Sequence, residues 1–467
     1  MSDNTQYIES VRRYHNQTKH RFERYANGPE TLDWSMQPDP FRSYEGSDNI
    51  SLSLSEQDFG PSFCDLYEPD KVTPKCFDLN SIGILLELSM GLSAWKEYEG
   101  DRWALRCNPS SGNLHPTEAY IITNGIENLK SGVYHYLSYK HCLEQRCTFT
   151  VDNDASITSH EIPWVMVGLS SVFWREAWKY GERAFRYCQL DVGHAIAAIR
   201  YACATLGWSA EFVSNAGEDD IAQLLGLNRN QDFIDAEREQ PEVLLKITPN
   251  NKKIVNHNIE EMVRSSQRGQ WTGHANILDK NHLYNWPIID EVEHATRRLN
   301  NEASHHWVSS SLPIPLPCHS NLPAKEIIQR RRSAQLFDNI TTIESSNFFR
   351  MLDMLIPRVD TPPWNALPWQ PKIHIVLFVH RVNGLEPGLY LLLRNTQSKE
   401  SLQTVLNDKF EWLKINEAPD HLNLYRLVKA NAQKAAATLS CHQSIASTSA
   451  FSLGMLSEFD LALESGP

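Results

Sequence analysis

The sequence predicts a mixed helix-and-strand protein made of two tandem copies of one unit. Three observations carry this expectation. Short apolar runs of strand character, TEAYIIT, GVYHYL and IPWVMVGLS, follow one another between residues 117 and 170. The stretch from Gly181 to Gly207 repeats apolar residues at helical spacing. The same succession of helix, proline-flanked loop, strand, turn and strand returns in the last third of the chain.

In chain order, residues 1–75 are polar and broken by Pro and Gly, as in NGPETLDWSMQPDPF. They are expected to wrap over the surface with little regular structure. SIGILLELSMGLSAW follows as an apolar helix. The loop RCNPSSGNLHP leads into the strand AYIIT, and the turn GIENLKSG leads into GVYHYL. In the long helix, Phe185, Cys188, Val192, Ala195, Ile196, Ile199, Ala202, Cys203 and Leu206 fall on one stripe. Gly207 sits where a C-terminal glycine cap belongs. The helix DIAQLLGL and the strand EVLLKIT close the first domain, 76–250. Residues 251–322 read as a linker holding a helix (IIDEVEHATRRLNNEA) and a proline-alternating stretch, SLPIPLPCHSNLP.

The second domain, 323–467, repeats the first. FFRMLDMLIP stands for ILLELSMGLS, WNALPWQP for the proline-flanked loop, KIHIVLFV for AYIIT and VNGLEPGLYLLL for IENLKSGVYHYL. Pro116 to Gly132 is 16 positions and Pro371 to Gly388 is 17. Two such copies are expected to pack as an intrachain pseudo-dimer, which allows a monomer. The second copy runs 96 positions beyond Pro371, against 132 from Pro116 to Thr248 in the first. It is expected to be incomplete at its C-terminus.

Bulk properties exclude several classes. A net charge of −13 with few basic clusters argues against nucleic acid as partner. No apolar run approaches the roughly 20 residues of a membrane span, and the polar N-terminus has no signal-peptide core. Nine cysteines without a CxxC pair fit reduced thiols and a cytoplasmic protein, with no metal site. Thirteen Trp fit either the walls of a flat cofactor's cavity or a Trp-rich core. GxGxxG, GxxxxGK[ST], HExxH and GxSxG are all missing, which disfavours Rossmann dehydrogenases, P-loop NTPases, zincins and α/β-hydrolases.

Three stretches hold candidate chemistry. In PSSGN, Pro109, Ser110, Ser111, Gly112 and Asn113 make either a plain turn or a donor-rich edge for a planar heterocycle. In IIQRRRSAQLFD, Arg331, Arg332 and Ser333 close a short helix. They form either a solvated face or a phosphate grip, because guanidinium forks and a hydroxyl can share one phosphate. In WREAWKYGERAFRY, Lys179 and Tyr180 precede the long helix. They are either interfacial side chains or a base and proton relay, since a desolvated Lys can accept protons near neutral pH. His194, alone within the helix, reads as structural.

Together these residues resemble the nitroreductase superfamily, and within it the SagB/ThcOx branch of FMN-dependent peptide dehydrogenases. That branch carries R-x-x-P-S-x-G-x-L-H-P-x-E-x-Y, matched by Arg106, Pro109, Ser110, Gly112, Leu114, His115, Pro116, Glu118 and Tyr120. Its Lys-Tyr pair before a D-x-G-H helix is matched by Lys179, Tyr180, Asp191, Gly193 and His194. The R-R-S-x-x-x-F signature resembles Arg331, Arg332, Ser333 and Phe337. Gln335 stands where many relatives carry a second cation. The resemblance is strong over about residues 80–250 and looser over 325–467.

The resemblance implies an α+β fold, a mostly antiparallel sheet flanked by helices, with FMN as cofactor. It implies that Arg106, Pro109, Ser110, Ser111, Gly112 and Asn113 meet the flavin and that Arg331, Arg332 and Ser333 meet the phosphate. Because this chain divides those elements between its two copies, one FMN site per chain is expected. The implied reaction is oxidation of a peptide thiazoline or oxazoline to the azole. Lys179 then acts as base, Tyr180 as relay, and flavin accepts the hydride. NAD(P)H-dependent reduction of nitroaromatics or quinones is the alternative enzyme reading. A flavin-poor scaffold that binds a peptide or protein is the alternative of another class.

Overall fold

The structure, a computed structural model, describes residues 3–150, 163–250, 258–299 and 312–465. The chain divides into two compact units: Met1–Ser304 with Asn321–Arg331 and Asn365–Pro368, and His305–Ser320 with Arg332–Trp364 and Trp369–Pro467.

The first unit contains α1 (Asp3–Gln17), α2 (Leu79–Ser89), β1 (Leu92–Tyr98), β2 (Asp101–Arg106), β3 (Thr117–Asn124), β4 (Gly132–Leu137), β5 (Cys142–Thr148) and β6 (Trp164–Ser171). It continues through α3 (Phe173–Tyr180), α4 (Ala184–Thr205), β7 (Trp208–Phe212), α5 (Glu218–Leu225), β8 (Gln240–Pro249), α6 (Ile259–Arg268), α7 (Pro287–Thr296) and α8 (Ala324–Arg330). The main sheet runs β5–β4–β3–β6–β8–β7, all antiparallel, with Asn49–Ser51 and Gln270–Trp271 both pairing with β5. Alternation along each strand sends one set of residues to each face. Ala119, Ile121, Tyr134 and Val167 pack with α2 and α4, while Tyr120, Ile122, Val133 and Met166 pack with α5 and α6. Both faces are covered, so β3 reads as continuously apolar rather than alternating.

The second unit contains α9 (Ser345–Asp353), β9 (Ile373–Val379), β10 (Gly388–Leu393), α10 (Lys399–Val405), β11 (Asn423–Lys429), α11 (Gln433–Leu439), α12 (Ile445–Thr448), β12 (Phe451–Ser457) and α13 (Phe459–Ser465). Its sheet runs β11–β10–β9–β12, again antiparallel, with Leu413–Lys414 beyond β11. This is the order β5–β4–β3–β6 of the first unit.

The duplication is written in detail at the start of β4 and β10. A Cβ on Gly132 or on Gly388 would run into a backbone carbonyl of the third strand, Cys147 or Val428. Both strands then shift register before a tyrosine, between Val133 and Tyr134 or between Leu389 and Tyr390. Both tyrosine hydroxyls donate to the carbonyl four residues back, Lys130 or Glu386, at 2.7 Å.

Several sequence expectations need correction. Residues 1–75 are not a loose surface wrap. α1 is a 15-residue helix whose Tyr14 packs against Ile288 and Val292, and Arg42 and Tyr44 are buried in the first unit. The run to Trp95 is not one helix, because α2 stops at Ser89 and Trp95 lies in the β1–β2 hairpin. β5, CLEQRCT, has no strand pattern in the sequence because its charged residues are buried in ion pairs. The linker helix ends at Thr296, and residues 300–303 lie outside the described residues. Seven of the nine cysteines carry thiols and two do not, so the all-thiol expectation holds only in part.

Candidate functional site

Lys179 and Tyr180 are not at the start of the long helix. They are the last two residues of α3, and Gly181 ends that helix with φ +54. A Cβ at Gly181 would meet the Asn27 carbonyl and Gly28 Cα, so the close approach of that segment requires glycine. The turn after it is buttressed by α1: Tyr14 Oη donates to the Glu182 carbonyl at 2.8 Å and Gln17 Nε2 to its carboxylate at 2.7 Å. At a helix terminus two consecutive side chains can turn toward one place, and here that place is the P-S loop. A Cβ on Gly112 would stand 2.6 Å from Tyr180 Oη and 3.0 Å from Lys179 Nζ. Gly112 itself has φ +59.

The loop's polar groups serve mainly to hold the loop. Ser111 donates its N–H (3.0 Å) and its hydroxyl (2.9 Å) to Asp191 of α4. Ser110 Oγ accepts the His115 N–H at 2.8 Å. Asn113 Nδ2 donates to the Ala104 carbonyl at 2.8 Å, and its Oδ1 lies 3.0 Å from His115 Nε2. Burial, then the nearby Arg106 and Arg175, push His115 well below its ordinary pKa, so its ring is neutral. With Asn113 Oδ1 as acceptor, Nε2 is the donor and buried Nδ1 has no hydrogen-bond partner among the described residues. Pro109 and Ser110 are half-buried. Arg106 is buried, donating to the carbonyls of Thr117 (3.1 Å) and Pro40 (2.7 Å). The donor-rich edge read from the sequence is therefore largely satisfied within the protein.

What faces Gly112 is the pair Lys179 Nζ and Tyr180 Oη. Lys179 is half-buried, and burial lowers its pKa against the pull of Glu176. Burial, with Glu176, Tyr187 and Asp191, raises that of Tyr180. Lys179 Nζ also lies 5.1 Å from the Trp34 ring centroid, a cation–π distance.

The motif's second half does something else. Glu118 pairs with Arg175, which also donates to the carbonyls of His115 (2.7 Å) and Asp39 (3.0 Å). Burial opposes a charge on Glu118, but Arg175 and Arg106 outweigh it and hold its pKa far below the usual carboxylate range. Tyr120 Oη donates to Glu239 at 2.8 Å. Thus Glu118 ties α3 and the loop to the sheet.

Arg331 caps α8, and Arg332 and Ser333 follow in an exposed, irregular segment. His194 is exposed on α4. Sequence reasoning missed Glu176, Trp34 and the loop-anchoring role of Asp191. Glu176 is fully buried in WREAWKY, and the wide apolar flank of Trp residues around it was the one available signal.

No family model matches the sequence. A candidate nitroreductase of Methanocaldococcus jannaschii is 22% identical over 130 residues, spanning 27% of this chain and 66% of that protein, just under two thirds of its length. The crystal structure of a candidate nitroreductase from Anabaena variabilis matches 97% of this chain and 86% of its own, with a TM-score of 0.65 at 18% identity. The Escherichia coli microcin synthetase McbBCD complex, with truncated pro-MccB17 bound, matches 53% of this chain and 81% of its own at 17% identity. Its TM-score of 0.29 is too low to bear weight. The chain has the nitroreductase-like α+β fold, and the Anabaena likeness runs through both units. Among the described residues, no helix is long and apolar enough to cross a membrane.

Proposed function

We propose that this chain is an FMN-dependent oxidoreductase of the SagB-like kind, oxidising a peptide thiazoline or oxazoline to the azole. One observation carries the reading: Lys179 Nζ and Tyr180 Oη converge on Gly112 of the P-S loop. The residues fit a flavin in chemical terms. A bare glycine Cα beside two donors suits a flat ring rich in acceptors, and Arg331, Arg332 and Ser333 have the chemistry for its phosphate. FMN, when bound, supplies the two-electron acceptor that aromatisation needs.

The protein's part is placement and proton handling. Lys179, its pKa lowered by burial, takes the acidic proton beside the substrate carbonyl. Tyr180, kept neutral, donates a hydrogen bond and orients the reacting group. Asp191 and His115 hold the loop against which both side chains rest.

Purified with FMN supplied, the protein is expected to show flavin absorbance near about 450 nm. Since the P-S loop occurs only in the first unit, one flavin per chain is expected, and two would overturn that count. Lys179→Ala should bind FMN normally and lose turnover by about 10²–10⁴-fold. Unchanged turnover would remove Lys179 from the role. The names of the matched nitroreductases favour a second reading, NAD(P)H-dependent reduction of nitroaromatics or quinones. Bleaching of the flavin by NADPH at the rate of nitroarene turnover would select it.

A further inference from the structure

Glu176 has no part in the reaction as derived, yet it is wholly buried on the helix that carries Lys179. It stands one turn before Lys179 on α3, is completely buried, and neither carboxylate oxygen has a hydrogen-bond partner among the described residues. An ionised carboxylate so placed is strongly disfavoured unless a cation answers it. Arg175, next to it in sequence, is engaged with Glu118 and two carbonyls. From α4, Asp191 and the buried Cys188 thiol face the same region, and Tyr180 adds a neutral hydroxyl. Lys179 is the cation whose field reaches Glu176.

We propose that Glu176 is a positioning residue that sets the charge of Lys179. While Glu176 keeps its proton, Lys179 stands uncharged and can accept one; when Glu176 loses its proton, its charge holds Lys179 as an ammonium. The inference rests on the reading of Lys179 as base. The two forms hold the same number of protons, so burial can select the neutral pair without exchange with solvent. The directions agree: burial and then Asp191 push Glu176 up, and burial pushes Lys179 down. A proton taken from substrate makes an ammonium beside a neutral acid, and its loss to water restores the starting pair.

The test is a titration of Lys179 in the full-length protein, using reductive methylation with isotope-labelled formaldehyde and NMR. Lys179→Ala identifies the resonance. Glu176→Gln keeps the shape and stands in for the protonated acid, so the Lys179 midpoint should stay where the native protein has it. A fall of about one pH unit or more would mean that Glu176 is ionised beside Lys179 and overturns the proposal. Asp191→Asn supplies the other half: removing the like charge lets Glu176 ionise, the Lys179 midpoint should rise, and adding Glu176→Gln to it should cancel the rise. No movement in Asp191→Asn is equally fatal. The underlying reading fails differently, by turnover surviving in Lys179→Ala whatever the titration shows.

Discussion

At matching positions on one face of the same four strands, the first unit buries ions where the second buries mostly hydrocarbon. Aligning Gly132 with Gly388 and following the strand registers puts Glu118 opposite His374, Tyr120 opposite Val376 and His135 opposite Leu391. Glu144 falls at Tyr425, Arg146 at Leu427 and Ser170 at Leu456. In the first unit these side chains form one buried network. His135 lies between Glu118 (3.4 Å) and Glu144 (2.9 Å), and Arg146 pairs with Asp232 at 2.8 Å. Glu239 accepts from Tyr44 (2.9 Å), Tyr120 (2.8 Å) and Ser170 (2.5 Å), with Arg42 Nε at 3.1 Å. In the second, Leu391, Leu393, Leu402, Tyr425 and Leu427 simply pack, with Val376 and Leu456 against them.

Hydrophobic packing often stabilises such a face as well as buried ions, whose attraction must first offset their desolvation. The network therefore calls for another reason, and its contacts supply one. Arg175 reaches from Glu118 to the His115 carbonyl, so the ions fix the loop and α3 in one geometry. The second unit carries no P-S loop and no Lys-Tyr pair, and its sheet face carries no such network among the described residues.

The largest expected effect breaks that anchor. Glu118→Ala leaves Arg175 buried without its carboxylate and His135 with Glu144 alone, and should cost the first unit about 3–5 kcal/mol. Amide hydrogen exchange resolved by strand measures it: β3 to β6 should lose protection while β9 to β12 keep theirs. Equal loss in both sheets would break the comparison.

The next effect is a pH dependence confined to the ionic face. Burial opposes a charge on His135, but its hydrogen bonds to Glu118 and Glu144 prevail and raise its pKa from 6.5 to about 9. A raised folded-state value means the stabilisation is whole below about pH 6.5 and is lost as pH climbs through about 9. A shift of that size corresponds to roughly 3 kcal/mol. Exchange protection of β3–β5 should decline between pH 7 and 10, with a gentler decline in His135→Gln. Identical slopes would show that His135 carries no proton into the fold.

Much of this architecture was legible in the sequence, and the rest was hidden for a physical reason. Strands buried on both faces advertise themselves as AYIIT or KIHIVLFV, and the long helix shows its stripe, because apolar burial leaves a local pattern. The repeat could be read for the same reason. The network could not, since Arg42, Glu118, His135, Arg146, Asp232 and Glu239 each look like surface residues until the fold gathers them. β5 was lost with them. Lys179 and Tyr180 stand out in the sequence as a pair before a helix, but Glu176 does not: beyond the Trp residues that flank it, a carboxylate in WREAWKY gives no hint that both its oxygens are sealed from water. At the loop the sequence leaves a plain turn and a donor-rich edge both open, and only the fold brings Asp191 and Ala104 up to the donors of Ser111 and Asn113.

The smallest effect probes what the two units still share. Gly132 and Gly388 begin equivalent strands, and at each a methyl group would meet the facing backbone carbonyl, which cannot rotate away as a side chain could. The register shift and the tyrosine hydrogen bond that follow pin the same stretch, so the strand has little room to retreat. Gly132→Ala and Gly388→Ala should each cost about 1–3 kcal/mol, the usual range for overpacking. Each loss should fall on its own sheet and be similar in size despite the opposite chemistry of the two faces, because the obstacle is main chain in both. Strand-resolved exchange on the two single variants decides it. If Gly388→Ala is tolerated and Gly132→Ala is not, the ionic face is stiffening its own hairpin, and the kinship at this turn is one of sequence rather than of mechanics.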